Sequence, residues 1–345
     1  MIEAIDKEIR MRALISPSTV NSIYFGGGTP SIIDSEKISR LLNTIHSCFS
    51  VDPKVEITLE ANPDDITINN ALAWKDMGIN RLSIGIQSFS GENLNWMNRV
   101  HNAQQSIDCI EIIRSVGFNN FSIDLIYGAP MQDQYSWEDD LNLAIKLKVP
   151  HLSCYALTIE EGTALHNMIK TKKRLDVNQD EQAERYNALV LITRQAGYLH
   201  YEISNFALPG MESKHNSAYW QGKPYMGFGP AAHSFQGKIR SWNISNNIKY
   251  IKSIQESILP FEYEELSDLD LLNEYIMTGL RSSAGILKKR IIDDWGDDHL
   301  NLILTAMKPW INSGKLLQTK TGWILTDNGK FFADGIASSL FVLQK

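Results

Sequence analysis

The sequence predicts an α/β protein built on a largely parallel sheet, with a smaller helical unit at its C-terminal end. Two observations carry this prediction. Short β-branched runs alternate with helical patterns at a repeat of roughly thirty residues, which is typical of successive β–α–β units. From about Glu262, three helical patterns precede a hairpin pattern with Gly322 in its turn, an order typical of a winged-helix-like unit.

Strand-like and helical segments alternate along the first part of the chain. The strand-like segments are Val20–Phe25, Val55–Glu60, Arg81–Gln87, Phe121–Gly128, His151–Thr158 and His200–Ala207. The helical patterns between them are Glu36–Phe49, Asn69–Met77, Ala103–Val116, Trp137–Leu147 and Asp180–Ala196. Ahead of them, Ile2, Ile5 and Ile9 fall near one face of a helix. The alternation fits both a doubly wound sheet and a barrel.

Composition divides the chain into three predicted domains. Residues 1–209 carry the β–α repeat, and residues 210–261 are rich in Gly, Asn, Ser and aromatic residues, too irregular for a sheet. Residues 262–345 contain helical patterns over Leu271–Leu280, Leu287–Trp295, Leu300–Ser313 and Gly329–Phe341. The alternatives for this last part are a packing module and a DNA-binding unit, and the acidic charge balance favours the packing module.

Charge and hydropathy narrow the class of protein. The formal net charge of −7 argues against a general nucleic-acid-binding role, which usually needs a basic face. No apolar run approaches the ~18 residues of a membrane span, and the first residues do not resemble a signal peptide. We expect a cytoplasmic protein. Its cysteines, Cys48, Cys109 and Cys154, form no C-x-x-C pair and are predicted to be buried, inert thiols.

A run of three glycines follows the first strand-like segment. Gly26, Gly27 and Gly28 leave no side chain in the way and tolerate positive φ angles. Thr29 and Pro30 suit the cap and first position of a helix. The stretch therefore predicts a strand, a turn and a helix, and the turn either touches a ligand or is only a tight turn.

Polar residues interrupt strands that should be nearly all apolar. Glu60, Gln87 and Asp124 lie at or near the ends of three strand-like segments, and buried parallel strands are usually apolar on both faces. Burying a lone carboxylate costs several kcal/mol. Either internal salt bridges with Arg81 or Arg99 explain these residues, or they surround a polar ligand at one mouth of the fold; their common placement favours the ligand.

Several motifs together resemble one known family. They are YFGGGTPSII, EANPDDIT, RLSIGIQSF, MNRVHNA, FSIDLIYGAP, YEISNFA and HNSAYWQGKPYMGFGPAAHS. The combination resembles the HemW/HemN family of radical S-adenosylmethionine (SAM) proteins, the oxygen-independent coproporphyrinogen III oxidase-like group, over almost the whole chain. The resemblance implies a partial (β/α)6 barrel with a C-terminal helical domain.

The resemblance also implies a SAM site. Gly27, Gly28 and Thr29 match positions that lie against the methionine part of SAM. Further family positions that contact SAM or lie around it are matched by Glu60, Gln87, Arg99 and Asp124. The chemistry agrees, because an ammonium group needs oxygen acceptors and a carboxylate suits a bidentate arginine.

A second motif implies haem. HNSAYW matches the H-N-x-x-Y-W motif typical of the HemW branch, whose members are regarded as haem chaperones. The resemblance makes His215 the candidate haem iron ligand, with Tyr219 and Trp220 as flat apolar neighbours of the porphyrin. The alternative is a structural histidine that anchors an irregular segment.

One family feature is absent from the sequence. The family begins with a strand and a C-x3-C-x2-C loop whose thiolates hold a [4Fe–4S] cluster, and the sequence has no such loop. Residues for a cluster are therefore not assigned. We expect a chain shortened at its N-terminus, without its first barrel strand and unable to hold the cluster.

These observations lead to one functional expectation and two alternatives. The chain is expected to be a HemW-like haem chaperone that binds SAM and haem, passes haem to an acceptor protein, and contacts a membrane only peripherally through that acceptor. The first alternative is the coproporphyrinogen III oxidase itself, which decarboxylates propionates oxidatively. The second is a cluster-free binding or scaffold protein.

Overall fold

The computed structural model describes residues 1–13, 19–130 and 136–343. The chain divides into two compact units. The first contains Met1–Ile23, Glu36–Val55 and Ser213–Lys345, and the second contains Tyr24–Ser35 and Glu56–Glu212. The domain boundaries predicted from the sequence, after residues 209 and 261, stay a prediction.

A seven-stranded, curled sheet forms the half-barrel, in the order β1-β2-β3-β4-β5-β7-β6. Its strands are β1 (Val20–Phe25), β2 (Val51–Ala61), β3 (Arg81–Gln87), β4 (Phe121–Tyr127), β5 (His151–Ala156), β6 (Leu199–Glu202) and β7 (Asn205–Ala207). The pairs β2–β3, β3–β4 and β4–β5 are parallel. The predicted α/β class with a partial barrel is confirmed.

The last segment of the sheet differs from the prediction. His200–Ala207 was expected to be one strand, but it forms an antiparallel hairpin of β6 and β7, and β7 runs antiparallel to β5. The turn is fixed by Glu202, whose carboxylate accepts hydrogen bonds from Ser204 N at 3.2 Å and from Asn205 Nδ2. A strand-like segment alone does not show that the chain reverses inside it.

Helices connect the strands of the half-barrel. They are α2 (Ser35–Cys48), α3 (Ile68–Asp76), α4 (Gly91–Trp96), α5 (Ala103–Ser115), α6 (Trp137–Lys146), α7 (Ala164–Lys170) and α8 (Gln179–Gln195). Side-chain caps begin several of them, and α5 and α6 both start with a capping box. The sheet buries an apolar layer that includes Leu59, Leu82, Ile84 and Ile123.

The chain between residues 210 and 261 is more regular than predicted. It forms α9 (Lys214–Trp220), β8 (His233–Gln236), β9 (Ile239–Asn243) and α10 (Asn247–Gln255). Together with β10 (Phe261–Glu265), the two strands build a three-stranded antiparallel sheet in the order β10-β9-β8. The expectation that this stretch is too irregular for a sheet is therefore wrong, because Gly- and Asn-rich turns here separate short strands.

The C-terminal part has the predicted winged-helix-like order. It contains α11 (Asp268–Arg281), β11 (Ile286–Leu287), α12 (Lys288–Trp295), α13 (Asp297–Asn312), β12 (Leu316–Gln318) and β13 (Gly322–Leu325). The strands form a small antiparallel sheet in the order β11-β13-β12, and Gly322 closes the hairpin turn at the start of β13. The predicted last helix is instead two short helices, α14 (Asp327–Lys330) and α15 (Ala333–Ser339).

The first helix, α1 (Ile2–Arg12), buries charged residues as well as Ile9. Glu8 is fully buried and accepts hydrogen bonds from Arg12 at 3.0 Å, Asn243 at 2.7 Å and the backbone N–H of Gly229 at 2.8 Å. The Tyr250 hydroxyl donates a further bond. This network lies within the first compact unit, and Ile2 and Ile5 are only partly buried. Among the helices in the described ranges, none is both long and apolar enough to cross a bilayer.

Candidate functional site

The glycine turn after β1 is open towards its surroundings. Gly27 and Gly28 have φ angles of +84° and +69°, and a Cβ atom at either position would meet nothing within 4 Å. Gly26 differs, because its Cβ would lie 2.5 Å from the Tyr24 ring and 2.9 Å from a Glu60 oxygen. The turn therefore needs glycine for close packing at one position and for backbone conformation at the next two.

Glu60 ties this turn to the second strand. Its Oε1 accepts a hydrogen bond of 2.6 Å from the Tyr24 hydroxyl, and its Oε2 accepts one of 3.1 Å from the backbone N–H of Gly27. Burial, followed by the charge of Glu60, raises the pKa of Tyr24, so the phenol stays protonated as a donor. The carboxylate thus has a fixed position beside the open glycines.

Thr29 does not cap a helix with its side chain, although its sequence position predicts that it would. It precedes a short 3-10 turn over Pro30–Ile32, but its hydroxyl makes no capping hydrogen bond. Ser31 beside it is buried and donates a bond of 2.6 Å to Asp65. The expected helix is therefore a single turn, and α2 begins only at Ser35.

Gln87 and Arg99 meet beside Gly85 on the third strand. Gln87 has a φ angle of +67°, and the register between β3 and β4 shifts between Ile84 and Gln87. A Cβ at Gly85 would lie 3.0 Å from the Gln87 amide and 3.4 Å from the Arg99 guanidinium. Arg99 donates to Asn62 Oδ1 at 3.2 Å. The bulge places an amide and a cation side by side at the end of β3.

Asp124, on β4, lies on the same face of the sheet as Glu60. It is the register partner of Ser153, with which it also forms a hydrogen bond. Burial raises the pKa of Asp124 to about 7, and the Ser153 bond opposes this shift. A carboxyl group with this pKa exists in both protonation states near neutral pH.

The salt-bridge alternative does not account for these carboxylates. Within residues 1–13, 19–130 and 136–343, neither Arg81 nor Arg99 lies within 4.0 Å of a carboxylate oxygen of Glu60 or Asp124. Arg81 is only 2% exposed, and its Nε has no hydrogen-bond partner. Glu60 and Asp124 therefore line the sheet without a salt bridge to Arg81 or Arg99.

The sequence interpretation missed several residues of this face. Tyr24 and Asn62 hold Glu60 and Arg99, and His151 lies beside Ser122 in the register of β4 and β5. Burial and the charge of Arg81 keep the pKa of His151 well below its ordinary value, so the ring is neutral. The alternation of polar residues along β3, β4 and β5 is the signal that could have found this polar face.

The H-N-x-x-Y-W segment forms most of α9. Ser213 caps this helix by accepting a bond from Asn216 N at 3.2 Å. His215 is partly buried, and its Nδ1 lies 3.1 Å from Ser22 Oγ in a hydrogen bond within the first unit. The motif thus places the imidazole against the start of β1 and not in open solvent.

An aromatic cluster continues from His215 along α9. The Tyr219 ring is 5.7 Å from the Trp220 ring and 5.2 Å from the Tyr225 ring, and Tyr219 is 50% exposed. The Arg281 guanidinium lies over Trp220, 5.3 Å from the ring centroid. The buried Nε1 of Trp220 has no hydrogen-bond partner. The cluster therefore offers exposed aromatic surface, a cation and an unmet donor.

The other nearby histidines have different surroundings. His200 stacks on Phe206 at 4.1 Å, and its Nε2 lies 3.1 Å from the carbonyl oxygen of Ile203. His233 lies 6.1 Å from the ring of Trp242. Of these histidines, only His215 belongs to the helix that carries the exposed Tyr219.

The three cysteines are free and belong to different elements. Cys109 is buried in α5 and Cys154 in β5, as predicted, whereas Cys48 is only partly buried at the end of α2. Burial raises the pKa of Cys109 to about 12 and that of Cys154 well above its ordinary value. Thiols of this kind are poor metal ligands, because ligation needs the thiolate.

Comparisons with known proteins show which family this chain is similar to. The radical SAM superfamily matches residues 2–144. The "Heme chaperone HemW" of Bacillus subtilis is 33% identical over 97% of this chain and 89% of its own length. That of Lactococcus lactis is 32% identical over 90% of this chain and 82% of its own length.

A solved structure shares the fold. The coproporphyrinogen III oxidase HemN from Escherichia coli superposes with a TM-score of 0.83 at 22% identity, covering 99% of this chain and 82% of that one. The superposition supports the half-barrel and the helical C-terminal part. Since the two HemW relatives are 33% and 32% identical over 97% and 90% of this chain, the chain belongs to the HemW family of the radical SAM superfamily.

Proposed function

We propose that this chain is a haem-binding chaperone that takes up haem at α9, binds SAM at the glycine turn, and passes haem to an acceptor protein. The observation that carries the proposal is the H-N-x-x-Y-W helix, in which His215 is held by Ser22 next to an exposed aromatic cluster. The name of the relatives, heme chaperone, supports the same function.

Each side chain of the α9 cluster suits a part of haem. Imidazole is a common axial ligand of haem iron, and the Ser22 contact at Nδ1 orients the His215 ring. Tyr219 and Trp220 offer flat apolar surface to the porphyrin. Arg281, which also pairs with Asp334 at 2.6 Å, carries a charge of the sign that attracts a propionate.

The residues around the glycine turn fit SAM. The space beside Gly27 and Gly28 accommodates a ligand at backbone distance, and the fixed Glu60 carboxylate can accept from an ammonium or a hydroxyl group. Arg99 can pair with a carboxylate, and Gln87 and Asp124 offer further polar contacts. SAM itself supplies an activated sulfonium, and the residues named here bind and orient it.

The cysteines do not fit a [4Fe–4S] cluster. Cys109 and Cys154 are buried as protonated thiols, and in the part of the chain that the structure describes no three His, Cys, Asp or Glu residues form a group that could hold a metal. We therefore derive no radical step from the described residues. The oxidase alternative has support only from the shared fold, whereas the H-N-x-x-Y-W helix favours the chaperone.

Haem titration of the purified chain tests this proposal. Wild type is expected to give a sharpened Soret band, and His215→Ala is expected to abolish or shift it. Tyr219→Ala and Trp220→Ala should each weaken binding by about 1–3 kcal/mol through lost apolar contact. His200→Ala and His233→Ala are the matched controls. An unchanged spectrum in His215→Ala, with loss in either control, would move the ligand elsewhere.

A further inference from the structure

A cavity of about 430 Å³ lies in the second unit, apart from every residue assigned above. Its lining comes from three separate stretches: α4 after β3, Pro130 after β4, and the segment after α7. The carboxyl ends of parallel strands meet at one edge of a sheet, and ligands bind outside that edge in α/β folds. The cavity therefore has the position of a ligand site.

One wall of the cavity is rigid. Asn93 is 6% exposed, and its backbone N–H donates to Ser90 Oγ at 3.2 Å. Ser88 donates to the buried Asp140 at 2.8 Å and also receives a bond from the Asn93 amide. Since these bonds fix the loop between β3 and α4, Trp96 at the end of α4 has a defined position on the cavity wall.

The opposite wall is cationic. Lys172, Lys173 and Arg174 line the cavity, and among the described residues of the lining Glu92 is the one that is acidic. None of these three cations forms an ion pair with another residue in the part of the chain that the structure describes. In a chain of net charge −7, three adjacent cations that pair with no acidic residue in the described ranges form a local attractor for anions.

Trp96 and Arg174 give the cavity a preference for a flat ligand. The Arg174 guanidinium lies over the Trp96 ring, 5.4 Å from its centroid. A guanidinium held on an aromatic face keeps its N–H groups at the edge, where they bind carboxylate or phosphate oxygens. The indole also offers a surface on which a flat ring can stack.

We infer that this cavity binds a planar anion with at least two negative charges. Its ring would stack at Trp96, and its carboxylate or phosphate oxygens would accept from Arg174, Lys172 and Lys173. Two sources share this chemistry, a nucleotide and a porphyrin carboxylate. The site does not use His215 and goes beyond the proposed function.

Calorimetry of the full chain with three probes tests the inference. The probes are ATP, iron-free protoporphyrin IX and inorganic pyrophosphate, the last of which has charge without a ring. We expect one ring-bearing probe to bind at least tenfold more tightly than pyrophosphate. Arg174→Gln and Trp96→Ala should each weaken that binding at least tenfold, with Trp96→Phe restoring part of it. Binding by ATP identifies a nucleotide source, and binding by protoporphyrin a tetrapyrrole.

Lys170→Gln is the matched control, because Lys170 belongs to the same basic run but does not line the cavity. Lys170→Gln should change the affinity less than twofold.

Three results would overturn the inference: no binding of either ring-bearing probe, pyrophosphate binding as tight as that of the ring-bearing probe, or equal losses of affinity in Lys170→Gln and Arg174→Gln. Binding of wild type and Trp96→Ala alike to phosphatidylserine vesicles, with no probe bound, would assign the run to a membrane surface instead. His215→Ala should bind the ring-bearing probe as wild type does, which separates this outcome from failure of haem ligation.

Discussion

At the scale of single residues, the half-barrel places its carboxyl groups in unequal surroundings. Glu60 accepts two hydrogen bonds, from Tyr24 and from Gly27. Asp124 accepts from Ser153 but is enclosed by protein, and its pKa rises to about 7. Asp124 therefore gains or loses a proton near neutral pH.

The raised pKa of Asp124 predicts a pH-dependent stability. Because the folded state binds this proton more tightly than the unfolded chain, the free energy of unfolding falls as pH rises from about 4 to about 7 and is level above that. Asp124→Asn carries no titrating group. In urea unfolding at pH 4.5, 6 and 8, the free energy of unfolding of the variant should increase relative to that of wild type as the pH rises to 7. A difference that is the same at every pH would contradict the assigned pKa.

The glycine turn gives a second prediction at this scale. Gly27 and Gly197 share a φ of +84°, and a Cβ atom at either position would have no neighbour within 4 Å. Gly27→Ala and Gly197→Ala should therefore each cost about 1 kcal/mol of stability through backbone strain. Only Gly27→Ala should weaken SAM binding in calorimetry. Equal SAM affinity in the two variants would place the ligand away from the turn.

At the scale of elements, periodicity predicted most strands and helices to within a few residues. Val20–Phe25 and Arg81–Gln87 have the predicted bounds. The failures are where the chain reverses within one strand-like segment, as at β6 and β7, or where short strands pair across a turn that contains glycine, as at β8 and β9. Each of these hairpins also pairs with a strand outside it, β7 with β5 and β9 with β10, and local patterns do not specify such partners.

The α1 network shows the same limit for side chains. Helical periodicity predicted an apolar face at Ile2, Ile5 and Ile9, yet Glu8 is the fully buried residue, because Asn243 and Tyr250 supply its donors from more than two hundred residues away. The glycine turn, Glu60 and Asp124 were visible in the sequence. Their supports, Tyr24, Asn62 and Ser153, were not, since each is an ordinary strand or loop residue until the sheet forms.

The network predicts a large and local stability effect. Glu8→Ala leaves Arg12 buried without its carboxylate and should lower the free energy of unfolding by about 3–5 kcal/mol. Glu3→Ala, an exposed position on the same helix, should change it by less than about 0.5 kcal/mol. Chemical denaturation of both variants measures the difference. Similar small effects would show that α1 is not anchored by Glu8.

At the scale of the whole molecule, the two proposed ligand sites belong to different compact units. His215, Tyr219 and Trp220 belong to the first, and the glycine turn with Arg99 belongs to the second. The contacts that hold His215 at Ser22 and Arg99 at Asn62 each lie within one unit. Neither of these two contacts is shared by the two sites.

This separation predicts independent losses. Arg99→Ala should weaken SAM binding about tenfold or more, because it removes a charge-assisted contact, and should leave haem affinity unchanged. His215→Ala should do the reverse. Calorimetry with SAM and absorbance titration with haem, on the same preparations, provide both values. A loss of both ligands in a folded single variant would show that the sites are coupled.

The most direct test of the account is chemical rescue of the haem ligand. In His215→Gly, ferric haem is expected to lose the absorption and electron-spin signature of imidazole ligation, and added imidazole is expected to restore it, because the cavity left by the side chain admits the free ring beside Ser22. His233→Gly should need no rescue. A His215→Gly protein whose haem spectrum equals that of wild type before imidazole is added would contradict the central claim.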